Sequence, residues 1–181
     1  MRLQVPLAGE ILPALTFQNY LPRPGIEGVT LGGLDAHRAL NGSFTELFRL
    51  RDGVLEGSSP AFSVRQASLS VAAPHRINAF HLHPKLPQSE LWCVLEGLML
   101  VWLVDCREAS ASRGVRQPVL LSGQEPAFLR IPPGVAHGYK AGWGGATLLY
   151  LTDQQFDPSD PNEGRLPWDQ FGTELWEDDR G

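Results

Sequence analysis

From Phe44 onward, apolar and polar residues trade places in short runs, the pattern of half-buried strands. Phe44-Thr45-Glu46-Leu47-Phe48-Arg49-Leu50 mixes β-formers with polar residues, and the stretch from Phe62 to Val71 alternates more cleanly. Strand-like runs follow at Ile77–His83, Glu90–Leu95 and Leu98–Val104, with Glu96-Gly97 between the last two reading as a tight hairpin. Further strands are predicted at Pro118–Leu121, Ala127–Ile131 and Ala146–Thr152. Short strands at close spacing predict an all-β barrel or sandwich. Pro6, Pro13, Pro22 and Pro24 break up the start of the chain, and Asp, Pro and Trp crowd the tail after Phe156. The pattern therefore predicts one domain: an irregular lead-in over about 1–40, a barrel over about 41–156, and a cover with one helical turn over about 157–181.

Composition adds to this picture. Hydrophobic residues make up 43% of 181, enough for a real core, and 15 Pro with 19 Gly suit a fold with many turns. The net charge of −5, without a basic stretch, argues against a nucleic-acid partner. No apolar run is long enough for a transmembrane helix, and the N-terminus lacks the pattern of a signal peptide, so no membrane association is expected. Cys93 and Cys106 give no disulfide framework, which favours a reducing cytoplasm, with Cys93 as a small buried hydrophobe.

The candidate chemistry lies in two short segments. His81 and His83 share a face if residues 77–83 form a strand. Six residues with two prolines then turn the chain, and Glu90 opens the returning strand. Separately, the rigid Pro132-Pro133-Gly134 turn delivers His137 to the start of another strand. Three imidazoles and a carboxylate, His81, His83, Glu90 and His137, form a suitable ligand set for Zn, Ni, Fe or Mn with open positions left for water or substrate. No organic cofactor is expected.

The spacing H-x-H-x6-E-x6-G followed by P-x-G-x2-H resembles both halves of the cupin pattern, and its long His-to-Glu gap is similar to that of cupin-type phosphoglucose isomerases. A second resemblance covers Gly42 to Trp176. Gly42-Ser43-Phe44-Thr45-Glu46, Gln66-Ala67-Ser68-Leu69-Ser70, Ile131-Pro132-Pro133-Gly134-Val135-Ala136-His137-Gly138, Tyr150, Asp157-Pro158, Trp168-Asp169 and Leu175-Trp176 resemble segments of the dTDP-4-dehydrorhamnose 3,5-epimerase family. These resemblances imply a double-stranded β-helix, the jelly-roll barrel of the cupins. The second places a catalytic base on His81 and a general acid on Tyr150, and implies substrate contacts from Gln66, Ser68, Asn78, Phe44 and Glu46. It further implies a homodimer in which the Phe44–Glu46 strand crosses to the partner, and a carboxylate partner for the base near Asp179. Several positions depart from the family: Asn41 and Asn78 stand where it has arginines, Glu90 where it has lysine, His83 where it usually has Gln, and Phe156 where it has tyrosine.

The exchange of lysine for Glu90, with His83 gained, removes a cation and supplies two metal ligands, so a metal would replace the lysine as the positive element. The expected activity is that of a sugar or sugar-nucleotide epimerase or isomerase moving a proton next to a carbonyl, with His81, Tyr150 and Glu90 as the acid–base groups. The expected partner is a sugar, sugar phosphate or sugar nucleotide. A metal-dependent oxygenase or hydrolase and a non-catalytic sugar-binding barrel are the alternatives. At His81 two roles compete, because a nitrogen that ligates a metal is a poor base. Trp92 and Trp102 read as core, Trp143 as an exposed loop residue, and Arg65, Lys85 and Lys140 as solvated.

Overall fold

A computed structural model describes residues 3–178. The N-terminal stretch carries one 3₁₀ turn, Leu12–Ala14, and stays exposed. The strands follow in order: β1 Thr30–Gly33, β2 Ala36–Ala39, β3 Gly42–Thr45, β4 Leu50–Arg51, β5 Val54–Leu55, β6 Gln66–Ala72, β7 Ile77–Leu82, β8 Glu90–Asp105, β9 Arg116–Ser122, β10 Ala127–Ile131, β11 Val135–Thr152 and β12 Gly164–Arg165. A second 3₁₀ turn, Thr173–Trp176, provides the one helical turn predicted for the tail. Among the described residues no helix is long and apolar enough to cross a membrane.

The long strands β8 and β11 pair antiparallel with each other and organise everything else. Along one half of this ribbon, β10 and then β1 add to the Glu90 end of β8, and β6 adds to the Thr152 end of β11. Along the other half, β9 adds to β8, while β7 and then β12 add to β11. The result is the all-β barrel that the pattern predicted, and it is the jelly roll that the resemblance implied. β1 lies within the stretch read as irregular lead-in, and closes one edge against β10. The strand-like run from Phe44 is shorter than its alternation suggests, because β3 ends at Thr45 in a hairpin with β2 that stands apart from the main sheet.

The Glu96-Gly97 hairpin is not formed. β8 runs straight through it, because the residues on both sides pair in the same sense with one neighbour, β11. Gly97 adopts φ +79°, and a Cβ there would lie 2.1 Å from the Gly145 carbonyl oxygen. This glycine therefore bends one long strand from one half of the barrel into the other, where β11 skips register between Ala141 and Ala146.

Inward-facing residues such as Trp92, Met99, Leu103, Leu129 and Leu148 fill the interior. In β6, Ala67, Leu69 and Val71 face outward while Gln66, Ser68 and Ser70 are half-buried, the period of two expected of a strand. The tail packs Leu175 and Trp176 against Phe80 and Val104. Burying Phe80 completely contributes about 1.5–3 kcal/mol to holding that cover in place. Trp102 is half-buried there and donates its indole N–H to the Leu175 carbonyl. Lys140 is no solvated surface lysine: its ammonium donates to the Trp176 carbonyl and to Asp178, pinning the end of the cover. Cys93 is fully buried and Trp143 is exposed, as their surroundings in the sequence predict.

Candidate active site

A cavity of about 510 Å³ opens into the barrel, and all four of His81, His83, Glu90 and His137 line it. Each is delivered by a different device. His81 sits on β7 opposite His137 on β11. His83 lies just past the end of β7, before the Pro84–Ser89 turn. Glu90 is the first residue of β8, clamped between Ile131 and Thr152 on the neighbouring strands.

Three of the four converge. Ligand-type atoms of His83, Glu90 and His137 all lie within 4.8 Å of one another. The Glu90 carboxylate accepts hydrogen bonds from the Trp92 indole (2.6 Å) and the Gln88 amide (2.9 Å). His83 Nε2 lies 2.7 Å from one carboxylate oxygen but without the alignment of a hydrogen bond, and His137 Nε2 lies 3.7 Å from the other. On both rings the opposite nitrogen meets a backbone carbonyl: His83 Nδ1 with Asn162 at 2.6 Å, and His137 Nδ1 with Val135 at 3.0 Å. A carbonyl only accepts, so each Nδ1 carries a proton, and in the neutral rings both Nε2 atoms bring an electron pair close to the carboxylate.

His81 stands outside this group. Its Nδ1 lies 3.0 Å from the Glu163 carboxylate, and its Nε2 lies 3.0 Å from the Asn78 side-chain oxygen. Its ring stacks nearly parallel to His137, with centroids 6.0 Å apart.

The electrostatics follow from this layout. Burial pushes the His81 pKa down to about 4, helped by the charges of His137 and Arg165 and opposed by Glu163. Burial also lowers His137. Burial works against an ionised Glu90, but His137, His83 and the Trp92 N–H outweigh it and pull the carboxyl to about 2. Burial likewise opposes protonation of His83, yet the adjoining Glu90 carboxylate and the Asn162 carbonyl raise its pKa. The site thus holds an anionic Glu90 beside an imidazole that attracts a positive charge, and a neutral His81 to one side.

Tyr150, Gln66 and Asn78 line the same cavity. Ser68 does not reach its wall; its hydroxyl accepts a hydrogen bond from the Gln66 amide instead. Phe44 and Glu46 are not brought to it either. Phe44 is exposed on the β2–β3 hairpin, and Glu46 pairs with Arg49. Asp179 lies outside the described residues. Sequence reasoning missed Glu163 and Arg165 in the tail, Gln88 in the turn, and Tyr139, whose buried hydroxyl has no hydrogen-bond partner among the described residues. Only Tyr139 had a usable signal, since it sits two residues beyond His137 on the same strand.

A family model described as dTDP-4-dehydrorhamnose 3,5-epimerase matches residues 23–176. The spore coat polysaccharide biosynthesis protein SpsL of Bacillus subtilis (strain 168) is 38% identical over 145 residues, which is 80% of this chain and 91% of SpsL. A crystal structure of a dTDP sugar isomerase from Desulfovibrio desulfuricans G20 superposes with a TM-score of 0.68 at 30% identity, covering 80% of this chain and 87% of that one. NovW, a 4-keto-6-deoxy sugar epimerase from the novobiocin cluster of Streptomyces spheroides, gives a TM-score of 0.70 at 25% identity over 83% of this chain and 75% of its own. This jelly-roll chain belongs to the dTDP-4-dehydrorhamnose 3,5-epimerase family, whose members are isomerase-type enzymes acting on sugars.

Proposed function

We propose that the protein epimerises a sugar nucleotide by moving a proton at a carbon next to a carbonyl, with His81 as the base and Tyr150 as the acid. The observation that carries this reading is the placement of the His81 ring, held between Glu163 and Asn78 in the wall of a cavity that Tyr150 also lines. A neutral imidazole is ready to accept a proton, and a positioned acid–base group contributes about 10²- to 10⁴-fold in rate. Gln66 and Asn78 present polar side chains to a sugar in the same cavity. The test is deuterium wash-in: a dTDP-linked 4-keto-6-deoxy sugar is incubated with the protein in D2O and followed by NMR. Exchange at the carbons flanking the ketone, lost in His81→Ala, is the expected result. Wild-type protein that exchanges nothing above the buffer rate would sink the reading.

A second reading concerns the three convergent ligands. Two imidazole electron pairs gathered close to one carboxylate repel it, unless a proton or a cation sits among them. The donor set fits a divalent transition metal (Zn, Ni, Fe or Mn) held by His83, Glu90 and His137, with the Asn162 and Val135 carbonyls and the Trp92 indole orienting the ligands. When bound, such a metal supplies a Lewis acid beside a substrate oxygen. Metal analysis of unchelated protein, together with Glu90→Gln, tests it: near-stoichiometric metal in the wild type and at least a tenfold loss in the variant are expected (a level set by ordinary ligand effects), and metal-free wild type contradicts it.

The exposed β2–β3 hairpin supports a homodimer in which Phe44 and Glu46 reach the partner's cavity, and a monomeric mass by light scattering at micromolar concentration would count against it. The two unpaired cysteines suit the reducing cytoplasm as the place of action.

A further inference from the structure

The segment Asn162–Leu166 comes from the tail, some 80 residues beyond the histidines, yet it touches both of those on the β7 side. It is firmly tied there. Gly164 and Arg165 pair with Leu82 and His81, and Leu166 and Phe80 exchange backbone hydrogen bonds at 3.0 and 3.2 Å. The Asn162 side chain closes the Pro84–Ser89 turn, accepting from the Lys85 and Leu86 N–H groups and donating to the Leu86 carbonyl. From this fixed strap the Asn162 carbonyl meets His83 Nδ1 at 2.6 Å, and the Glu163 carboxylate meets His81 Nδ1 at 3.0 Å. Arg165 steadies Glu163 at 2.7 Å.

We propose that this strap is a tautomer clamp, and that Glu163 is the positioning residue for His81: its carboxylate keeps the ring proton on Nδ1 and so puts the basic electron pair on Nε2, beside the Asn78 amide in the cavity wall. The alternative tautomer would place the Nδ1 electron pair against a carboxylate at 3.0 Å, in exchange for a neutral N–H to Asn78 contact at Nε2. A charge-assisted N–H to carboxylate bond is roughly twice as strong as a neutral one. The Asn78 amide, whose oxygen and nitrogen ends exchange by a half-turn, then presents its NH2 to Nε2 at the expense of its long 3.5 Å contact with Arg165, and yields that place to the substrate proton. The inference rests on the proposed role of His81 as base. It assigns the base's carboxylate partner to Glu163, in place of an aspartate in the last few residues of the chain.

The experiment has two arms on full-length protein stripped of metal with chelator. Long-range ¹H–¹⁵N spectra of the histidine rings read the tautomer directly, and the D2O wash-in above reads the chemistry. In the wild type His81 should be protonated on Nδ1 alone. Glu163→Ala should give a mixture of tautomers and lower the maximal exchange rate on the order of 100-fold, the scale of one acid–base group, with KM changed by less than about threefold. Glu163→Gln keeps an acceptor for Nδ1–H, so it should keep the tautomer and recover part of the rate. Glu163 is partly exposed, and backbone spectra of the variants will show whether the fold is intact. A wild-type His81 protonated on Nε2, a tautomer unmoved in Glu163→Ala, or a rate loss produced by Asp179→Asn with Glu163→Ala unaffected would each overturn the clamp. If the wild type shows the Nδ1–H tautomer and Glu163→Ala scrambles it while the probe sugar fails to exchange, the clamp stands and the epimerase reading falls.

Discussion

Asp105→Asn probes the ground on which His137 stands. Asp105 ends β8, its side chain is wholly buried, and it accepts five hydrogen bonds: from the Arg107 backbone N–H (3.0 Å), Nε (2.8 Å) and Nη2 (2.8 Å), and from the Ser110 and Ser112 hydroxyls (2.6 Å each). Through these, Arg107 and Ser112 hold both backbone groups of Glu27. The loop also underlies the turn before His137: the Cys106 N–H donates to the Gly134 carbonyl, and a Cβ on Gly134 would lie 2.5 Å from Arg107 Cγ. The Arg107 guanidinium holds the Asp105 carboxyl well below the usual carboxylate range, with help from both serines and against the effect of burial. Asn offers one acceptor oxygen to five donors. Removing one partner of a buried pair costs about 3–5 kcal/mol. Arg107 is 27% exposed and can rehydrate, which places this variant near the low end, about 3 kcal/mol. At about 2–4 °C per kcal/mol for a chain of this size, Tm should fall by about 6–12 °C. The sign with pH is fixed. The folded pKa is depressed, so the stabilisation is complete above the unfolded value of about 3.9 and drains away as pH falls toward the folded value. Paired thermal and urea unfolding at pH 7, 5 and 3 is the assay. The gap between wild type and variant should be equal at pH 7 and 5 and smaller at pH 3. A gap under about 1 kcal/mol at pH 7, or one undiminished at pH 3, refutes this account of the loop.

Gly97→Ala should cost about 2–5 kcal/mol, the sum of a left-handed backbone penalty and a forced shift against Gly145, read as a lowered urea midpoint with unchanged slope. Tyr150→Phe keeps the ring between Trp92 and Ser68 on the neighbouring strands, so Tm should hold while net epimerisation falls about 10²- to 10⁴-fold. Deuterium wash-in at the carbon deprotonated by His81 should fall less than net epimerisation in that variant, because removing the acid leaves the base in place. Equal losses in both would place Tyr150 in binding instead of proton return.

Most of the barrel was legible because the alternation of β6, β7, β9 and β10 is local, and so were the turns that deliver Glu90 and His137. The error at Gly97 has a physical cause. A Glu-Gly pair between apolar runs serves a hairpin and a bend equally well, and the outcome depends on whether one distant strand pairs with both sides. At 16 and 18 residues, β8 and β11 are far longer than the usual five or six, so a turn between shorter strands was the natural expectation. Phe44 and Glu46 were expected at the cavity by resemblance, and within one chain their hairpin does not reach it. Glu163 was invisible for a different reason. It sits in a tail without strand periodicity, and only the pairing of β12 with β7 brings it to His81.

The same strap bears on whether His81 serves as base or as ligand, which its spacing from His83 cannot decide. On an ideal strand the two rings would share one face and one fate. Here the strand ends at Leu82, and the two rings are drawn to different partners: His83 toward Glu90, His81 toward Glu163 and Asn78. An imidazole has two nitrogens, and both of those on His81 are engaged away from the ligand cluster, so recruiting it as a fourth ligand would mean breaking a charge-assisted bond to Glu163 or the contact with Asn78. His83, by contrast, spends only Nδ1 on the Asn162 carbonyl and leaves a buried Nε2 beside the carboxylate. The conflict between base and ligand therefore dissolves by division of labour. His81 keeps its Nε2 electron pair, shared only with the neutral Asn78 amide, for a substrate proton, and three other side chains gather the charge that would steady the oxygen left behind. Loading with Zn should then leave the His81 ring resonances close to their metal-free positions while those of His83 and His137 move together. A shift of all three on metal addition would return His81 to the ligand set and remove it as the base.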